Sequence, residues 1–289
     1  MAATIDLHLH TTASDGRHSP DEVVRRAHER GLRVISITDH DTREGVAPGQ
    51  AAAARLGLTC IPGIEITSVM NGRDVHVLAY NLPPVVPALD GLLAAQRRSR
   101  LERACEIARR LERMGTPIDI APLVASTERG GGKALARPQI AQCLIAAGHA
   151  SSVPDAFDRF LGEDSPAYVP HTGASPADVV GLVVCAGGVA SLAHPGPLGR
   201  DELIPGLRDA GLSAIEAYHS AHDEPTQARY AALAKQLGLA VTGGSDYHGE
   251  GTRRSEFFGV VGLPPAAYAE LQALFYDAAG VGGVGEVPR

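Results

Sequence analysis

Short apolar runs that read as strands recur along this chain, most of them followed by a helical stretch, and histidines and acids stand at their downstream ends. IDLHLH (5–10) precedes DEVVRRAHERG and VISITDH (34–40) precedes AAAARLG. CIPGIEIT (60–67), DVHVLAYNL (74–82), VASLAH (189–194), AIEAYH (214–219) and AVTGGSD (240–246) continue the series. Strands alternating with helices predict βαβ units and a parallel sheet. If such a sheet closes into a barrel, the carboxyl ends of its strands converge on one face. Six of the twelve histidines would then meet there.

A chain of 289 residues with 44% hydrophobic content can bury a full core, as one barrel or as a barrel with an inserted subdomain. Cys60, Cys105, Cys143 and Cys185 lie far apart, so they read as small buried residues and not as a disulfide framework or a thiolate zinc site. No basic, apolar leader and no membrane-length apolar run occurs, and a cytoplasmic location is expected. The net charge of −7 repels polyanions at long range, yet imidazoles and bound divalent ions can reverse the sign inside a cleft. A phosphate substrate is therefore compatible with the composition.

Local signals agree with the α/β reading. Ser19 is a good N-cap for a helix with Pro20 at its first position, and Gly31 is placed to end it. The alternation breaks between residues 82 and 170. A long amphipathic helix from about Leu89 to Met114, a glycine-rich loop at Gly130–Gly132, and the stretches RPQIAQCLIAAG and PDAFDRFLG read as a helical insertion. The expected division is a barrel of residues 1–81 and 171–289 with an insertion of 82–170. Residues 97–113 carry seven arginines against three glutamates, which makes either a solvated face of Glu/Arg pairs or a surface that guides a polyanion. The tail from Ala278 has few apolar anchors and is expected to be loose.

The chemistry begins at His8-Leu9-His10, where the two-residue period of a strand puts both imidazoles on one face. Asp15 follows in a loop that can fold back over the strand end. His40 closes the second run, and Asp39 before it is either a carboxylate that orients a neighbour or a helix cap. Glu65 stands between Ile64 and Ile66, where a buried carboxylate is costly unless a cation neutralises it. His76, His194 and Asp246 with His248 complete a set of six imidazoles and three acids. Nine such ligands exceed the needs of one or two ions and suit three, with Glu65 a natural bridge. Without a thiolate the set suits Mn²⁺, Fe²⁺ or Zn²⁺, and which of the three is not encoded in the ligand types.

These motifs, taken as His8-Leu9-His10 with Asp15, Thr38-Asp39-His40, Glu65, His76, His194-Pro195 and Ser245-Asp246-Tyr247-His248, resemble the polymerase and histidinol phosphatase (PHP) family of metal-dependent phosphoesterases. The resemblance spans the chain. It implies a distorted (β/α)₇ barrel and a trinuclear site: His8, His10, Glu65 and Asp246 on one ion, Glu65, His76 and His194 on a second, and Asp15, His40 and His248 on a third. The insertion is most similar to the branch that hydrolyses nucleotide phosphates, including 3′,5′-bisphosphorylated adenosine, and trims short RNA from its 5′ end. That similarity implies phosphate contacts from Arg137 and His222. Many members also carry an arginine directly after His-Pro-Gly, where this chain has Pro197 and reaches an arginine only at Arg200.

Three cations facing three carboxylates favour a phosphate dianion and the extra charge of its transition state. Asp15, His40 and Glu65 are expected at the reacting centre, with His222 a candidate proton donor to the leaving oxygen. The expected substrate is a phosphorylated nucleotide or short oligoribonucleotide, and nothing in the sequence calls for a membrane or an obligate protein partner. The alternative is a histidinol-phosphate or other small-metabolite phosphatase. A polymerase-associated binding module and a C–N amidohydrolase fit less well, the first for want of length and the second for want of a use for a third ion. Glu216 and His219 carry no assigned role at this stage.

Overall fold

The computed structural model describes residues 3–128, 137–252 and 254–278, and within them seven strands hydrogen-bond in chain order into one sheet. β1 (Ile5–Leu9), β2 (Val34–Ile37) and β3 (Thr59–Met70) run parallel. β4 (Arg73–Tyr80) is antiparallel to both β3 and β5 (Val189–Leu192), and β6 (Ala214–His219) and β7 (Ala240–Gly244) follow parallel to β5. Beyond β7 the chain returns to β1. The Asp246 N–H donates to His8 O at 2.9 Å, and the His10 N–H donates to Tyr247 O at 3.0 Å, so the sheet is a nearly closed barrel. Gly244 permits that closure, since a Cβ there would lie 2.4 Å from the Cβ of His8.

β4 corrects the expectation of a wholly parallel sheet. Asn71 and Gly72 both have left-handed backbone, with φ of 53° and 76°, and form the two-residue turn that joins β3 to β4. Positive φ at both central positions matches the right-handed twist of the flanking strands, and Asn-Gly adopts it at little cost. No crossover helix is therefore needed, and β4 enters the barrel from the rim.

Helices cover the outside. α1 (Pro20–Glu29) starts as expected, with Ser19 Oγ accepting from the Glu22 N–H, and Gly31 beyond its end has φ of 83°. α2 (Val46–Leu56) follows β2, and both helices bury Val23, Val24, Ala27, Ala52 and Ala53 against Ile35 and Ile37. Between β4 and β5 lie α3 (Pro87–Arg113), α4 (Ala121–Glu128), α5 (Arg137–Ala146), α6 (Val153–Ala156) with a π-helical turn at Phe157–Leu161, and α7 (Pro176–Cys185). α3 spans two cores. Leu89 and Leu93 pack on the barrel side with Val179 and Val183, whereas Ala104, Ile107 and Leu111 join Ile140, Leu144, Phe160 and Leu161 in a separate cluster.

α8 (Pro195–Leu198), α9 (Ile204–Asp209), α10 (Glu224–Leu237) and α11 (Pro265–Ala278) complete the shell, and α11 closes the far end with Leu271 and Phe275 against Leu7, Leu78 and Tyr80. The cysteines are free, but Cys185 is exposed and the other three are only partly buried, contrary to the buried reading. The glycine-rich loop at Gly130–Gly132 and the tail beyond Ala278 lie outside the described residues.

Candidate metal centre

Glu65 is the hub of the barrel mouth. It sits in β3, 1% exposed, with Oε2 at 3.2 Å from His8 Nε2, 3.3 Å from His10 Nε2 and 3.1 Å from His40 Nδ1. Its Oε1 lies 2.8 Å from His76 Nδ1 and 3.0 Å from His194 Nε2. Asp246 faces the same space, with Oδ1 at 3.2 Å from His10 Nε2 and 3.4 Å from His248 Nδ1. Asp15 Oδ1 stands 3.2 Å from His248 Nε2 and 3.8 Å from His10 Nδ1. All nine side chains singled out in the sequence thus meet at one place.

Proton positions follow from partners that can play only one part. His8 Nδ1 lies 2.8 Å from the Glu216 carboxylate and must donate to it, which leaves Nε2, facing Glu65, as the nitrogen that either keeps a second proton or gives its lone pair to a cation. His248 Nδ1 donates to the carbonyl of Asp246 at 2.9 Å, so its Nε2 lone pair faces the Asp15 carboxylate. Lone pairs pointing at carboxylates repel unless a cation lies between them. Both nitrogens of His10 and Nδ1 of His76 are buried without a hydrogen bond, although acid oxygens stand within 4 Å. Close but misaligned donors and acceptors of this kind point at a shared ion, and the all-nitrogen-and-oxygen set suits a divalent one. The ligand atoms fall into tight groups, among them His10, Asp15, His40 and His248; His8, His10 and Asp246; and His40, Glu65 and His76.

The electrostatics agree. Burial draws the pKa of His40 down to about 3 and lowers those of His194 and His248, which keeps their lone pairs free for a metal. Burial opposes ionisation of Glu65, yet His40, His76 and His8 outweigh it and hold the carboxyl well below its ordinary range. Burial would also lower His8, but Glu216 and Glu65 push it up to about 10. The negative surroundings that retain a proton there would equally retain a cation at its Nε2.

Two candidate ligands stand on left-handed backbone, His194 with φ of 29° and Asp246 with φ of 56°. Such conformations cost energy and persist where the surroundings enforce them. Glu216 is one such constraint, since its Oε2 accepts the His194 N–H at 2.8 Å while Oε1 holds His8. His219 is another. Its Nδ1 accepts from the Ala221 N–H, so Nε2 donates to Asp246 Oδ2 at 3.3 Å, and Arg254 pairs with the same oxygen. Asp39 is no helix cap, because Gly45 precedes α2. It accepts instead from Thr11 N, Thr11 Oγ1 and Ser14 Oγ at 2.6–2.7 Å, pinning the loop that carries Asp15. A Cβ on Gly45 would fall 2.4 Å from Asp39 Oδ2, so a glycine is required beside that network.

The expected substrate contacts are less concentrated. Arg137, at the start of α5, donates to Leu161 O at 3.2 Å and lies over the rings of Phe157 and Tyr168, 5.5 and 5.7 Å from their centroids. Arg200 is ion-paired with Glu202. His222 is buried, donates from Nδ1 to Ala217 O at 2.9 Å and accepts the Gly196 N–H on Nε2 at 3.0 Å. Both its nitrogens are engaged and burial lowers its pKa, so it fixes the turn after His194 and offers no free proton in this geometry.

Known proteins with similar sequences and structures bear on this site. The PHP domain model matches residues 6–119. A 3′,5′-nucleoside bisphosphate phosphatase of Chromobacterium violaceum is 34% identical, with 94% of this chain and 97% of that protein covered. The 5′-3′ exoribonuclease Rnm of Escherichia coli is 32% identical over 98% of this chain and 93% of its own length. Among solved structures, a protein assigned as a metal-dependent phosphoesterase from Bifidobacterium adolescentis superposes with a TM-score of 0.80 at 32% identity, covering 93% of this chain and 96% of its own. With a nearly closed seven-stranded barrel and an imidazole–carboxylate cluster at its mouth, the chain belongs to the PHP family of metal-dependent phosphoesterases.

Proposed function

We propose that this protein hydrolyses phosphate monoesters of nucleotides, 5′-AMP and 3′,5′-bisphosphonucleotides among them, and acts on the 5′ end of short RNA. The observation that carries the reading is the Glu65 carboxylate, 1% exposed and within 3.3 Å of five imidazoles, with Asp15 and Asp246 beside them. Relatives named for nucleoside bisphosphate and RNA chemistry, similar over nearly their whole lengths, support the substrate class over histidinol phosphate.

Three divalent ions are proposed, Mn²⁺ first, held by His8, His10, Glu65 and Asp246; by Glu65, His76 and His194; and by Asp15, His40 and His248. When bound, such ions supply the charge that ionises an attacking water and offsets the negative charge gathering on the phosphoryl oxygens. The chain's own work is orientation. Glu216 and the Asp246 carbonyl fix the tautomers of His8 and His248, and Asp39 holds the Asp15 loop in place. Residues 82–170 form the cap, from which Arg137 grips non-bridging oxygens through a planar guanidinium, while Arg200 must leave Glu202 to join it. No described helix is long and apolar enough to cross a membrane, and the cytoplasm is the proposed location.

Metal analysis of the purified protein combined with phosphate release from 5′-AMP, 3′,5′-bisphosphoadenosine and histidinol phosphate tests the proposal. About three divalent ions per chain and preference for the nucleotides are expected. Turnover of histidinol phosphate alone would overturn the substrate class.

A further inference from the structure

The buried stripe of α3 is apolar on either side of a polar interruption. Leu89 and Leu93 pack on the barrel, and Ala104, Ile107 and Leu111 on the second cluster. Between them Gln96 and Arg100, one helical turn apart and so on one face, are only 7% and 8% exposed. Both reach chain that adjoins candidate metal ligands. Gln96 Nε2 donates to Thr67 O, two residues beyond Glu65, and Arg100 is ion-paired with Asp41, the residue after His40.

Asp41 is 4% exposed and stands on left-handed backbone, with φ of 52°. Its N–H donates to Glu65 O at 2.9 Å and its Oδ1 accepts the Thr67 N–H at 2.8 Å, so this one residue ties the turn after His40 to β3 at and just beyond Glu65. Among the described residues its Oδ2 has no partner but the Arg100 guanidinium. A carboxylate this buried is costly to leave without its countercharge. Its charge is also felt at a third candidate ligand. Burial works against a proton on His76, yet Glu65, then Asp74 and Asp41, raise its pKa.

We propose that Arg100 is a positioning residue of the metal centre: by neutralising Asp41 it holds His40 and Glu65 in the geometry that binds metal, and it does not contact the substrate. The inserted helix is then part of the wall of the metal site and not only a cover over it. This rests on the metal-centre reading above. Without Arg100 the Asp41 carboxylate turns toward water and releases the turn that carries His40. An asparagine at position 41 removes the need for Arg100, since its Oδ1 still accepts the Thr67 N–H and no buried charge is left unpaired.

The test is calorimetric titration of the chelator-treated protein with Mn²⁺, comparing wild type, Arg100→Met, Arg100→Lys and the double variant Arg100→Met/Asp41→Asn. Arg100→Met should weaken Mn²⁺ binding by about tenfold or more, as loss of a ligand's support does. Arg100→Lys, which keeps the charge, and the double variant, which needs none, should both stay within about threefold of wild type. A smaller loss in Arg100→Met overturns the proposal. So does a double variant as weak as the single one, because packing and not charge would then be at stake. Should Arg100→Met not fold, the other two variants decide, and a loss beyond about threefold in either refutes the role. At saturating Mn²⁺ the KM for 5′-AMP should be alike in wild type and the double variant; a rise of about tenfold there would make Arg100 a substrate contact and refute it as well. A wild type that binds neither Mn²⁺, Fe²⁺ nor Zn²⁺ would bring down the metal-centre reading itself, whereas a wild type and Arg100→Met that bind Mn²⁺ equally bring down only the role of Arg100.

Discussion

The barrel mouth and the inserted helices solve opposite problems of charge. At the mouth, lone pairs of His8, His10 and His248 converge on Glu65, Asp15 and Asp246, so the site is short of positive charge. Across the gap α3 carries guanidiniums in excess, and among the described residues neither Arg103 nor Arg137 is ion-paired with an acid. Each region is poorly satisfied alone, and cations with a phosphate ester would satisfy both. The contrast also sorts what binds what. Buried nitrogen and carboxylate fit a metal, whereas planar, half-exposed guanidinium fits a phosphate.

The largest effects should come from breaking the mouth. Glu65→Gln removes the charge shared by five imidazoles, and Asp246→Asn removes the charge that faces His10 and His248; each should lower kcat by about a thousandfold or more. Chelation should do the same reversibly. Because metal binds the folded chain preferentially, it should also lower the melting temperature, and added Mn²⁺ should restore both activity and melting temperature. A Glu65→Gln protein that keeps more than a tenth of wild-type kcat would dissolve the contrast, since the carboxylate would then be a packing residue.

An intermediate effect is expected from the supports. Glu216→Gln can still hydrogen-bond but no longer fixes His8 with a charge, and loss of such partners weakens metal affinity by about 10- to 100-fold. Activity at saturating metal should recover most of the loss, which separates orientation from direct ligation. Titration of activity against free Mn²⁺ measures this. A variant whose deficit persists at saturating metal would make Glu216 a participant at the reacting centre.

How far these roles were legible in the sequence depended on the range of the interaction. His8 and His10 announce themselves through the strand period, and Glu65 through the cost of an acid among isoleucines. Glu216 carries that same signal, an acid between Ile215 and Ala217, and the argument applied to Glu65 would have found it. Met70-Asn71-Gly72-Arg73 likewise held the hairpin that turns β4 antiparallel, overridden by the repeated alternation elsewhere. Arg254 on Asp246 and the pairing of Asp41 with Arg100 left no local trace, because each depends on segments the barrel alone brings together.

Smaller effects sharpen the other side of the contrast. Arg137→Ala should raise KM for phosphorylated substrates by an amount equivalent to about 1.5–3 kcal/mol while kcat moves little, as expected for a charge-assisted contact made equally in substrate and transition state. An unchanged KM would assign Arg137 to its stacking on Phe157 and Tyr168 alone.

The smallest effect belongs to the paired end of α3. Glu106 gathers Arg109, Arg110 and Arg113, but Arg109 and Arg113 are exposed and Glu106 and Arg110 only partly covered, so water and salt screen most of what these ion pairs gain. Glu106→Gln should leave kcat and KM within twofold and shift the melting temperature by no more than roughly 2 °C. The substitution also frees three guanidiniums on the same helix. If freed arginines alone drew in polyanions, KM for a 5′-phosphorylated dinucleotide would fall as salt is lowered, more steeply in the variant than in wild type. An identical salt dependence in both proteins would show that anion capture depends on where a guanidinium is held and not on how many the helix carries.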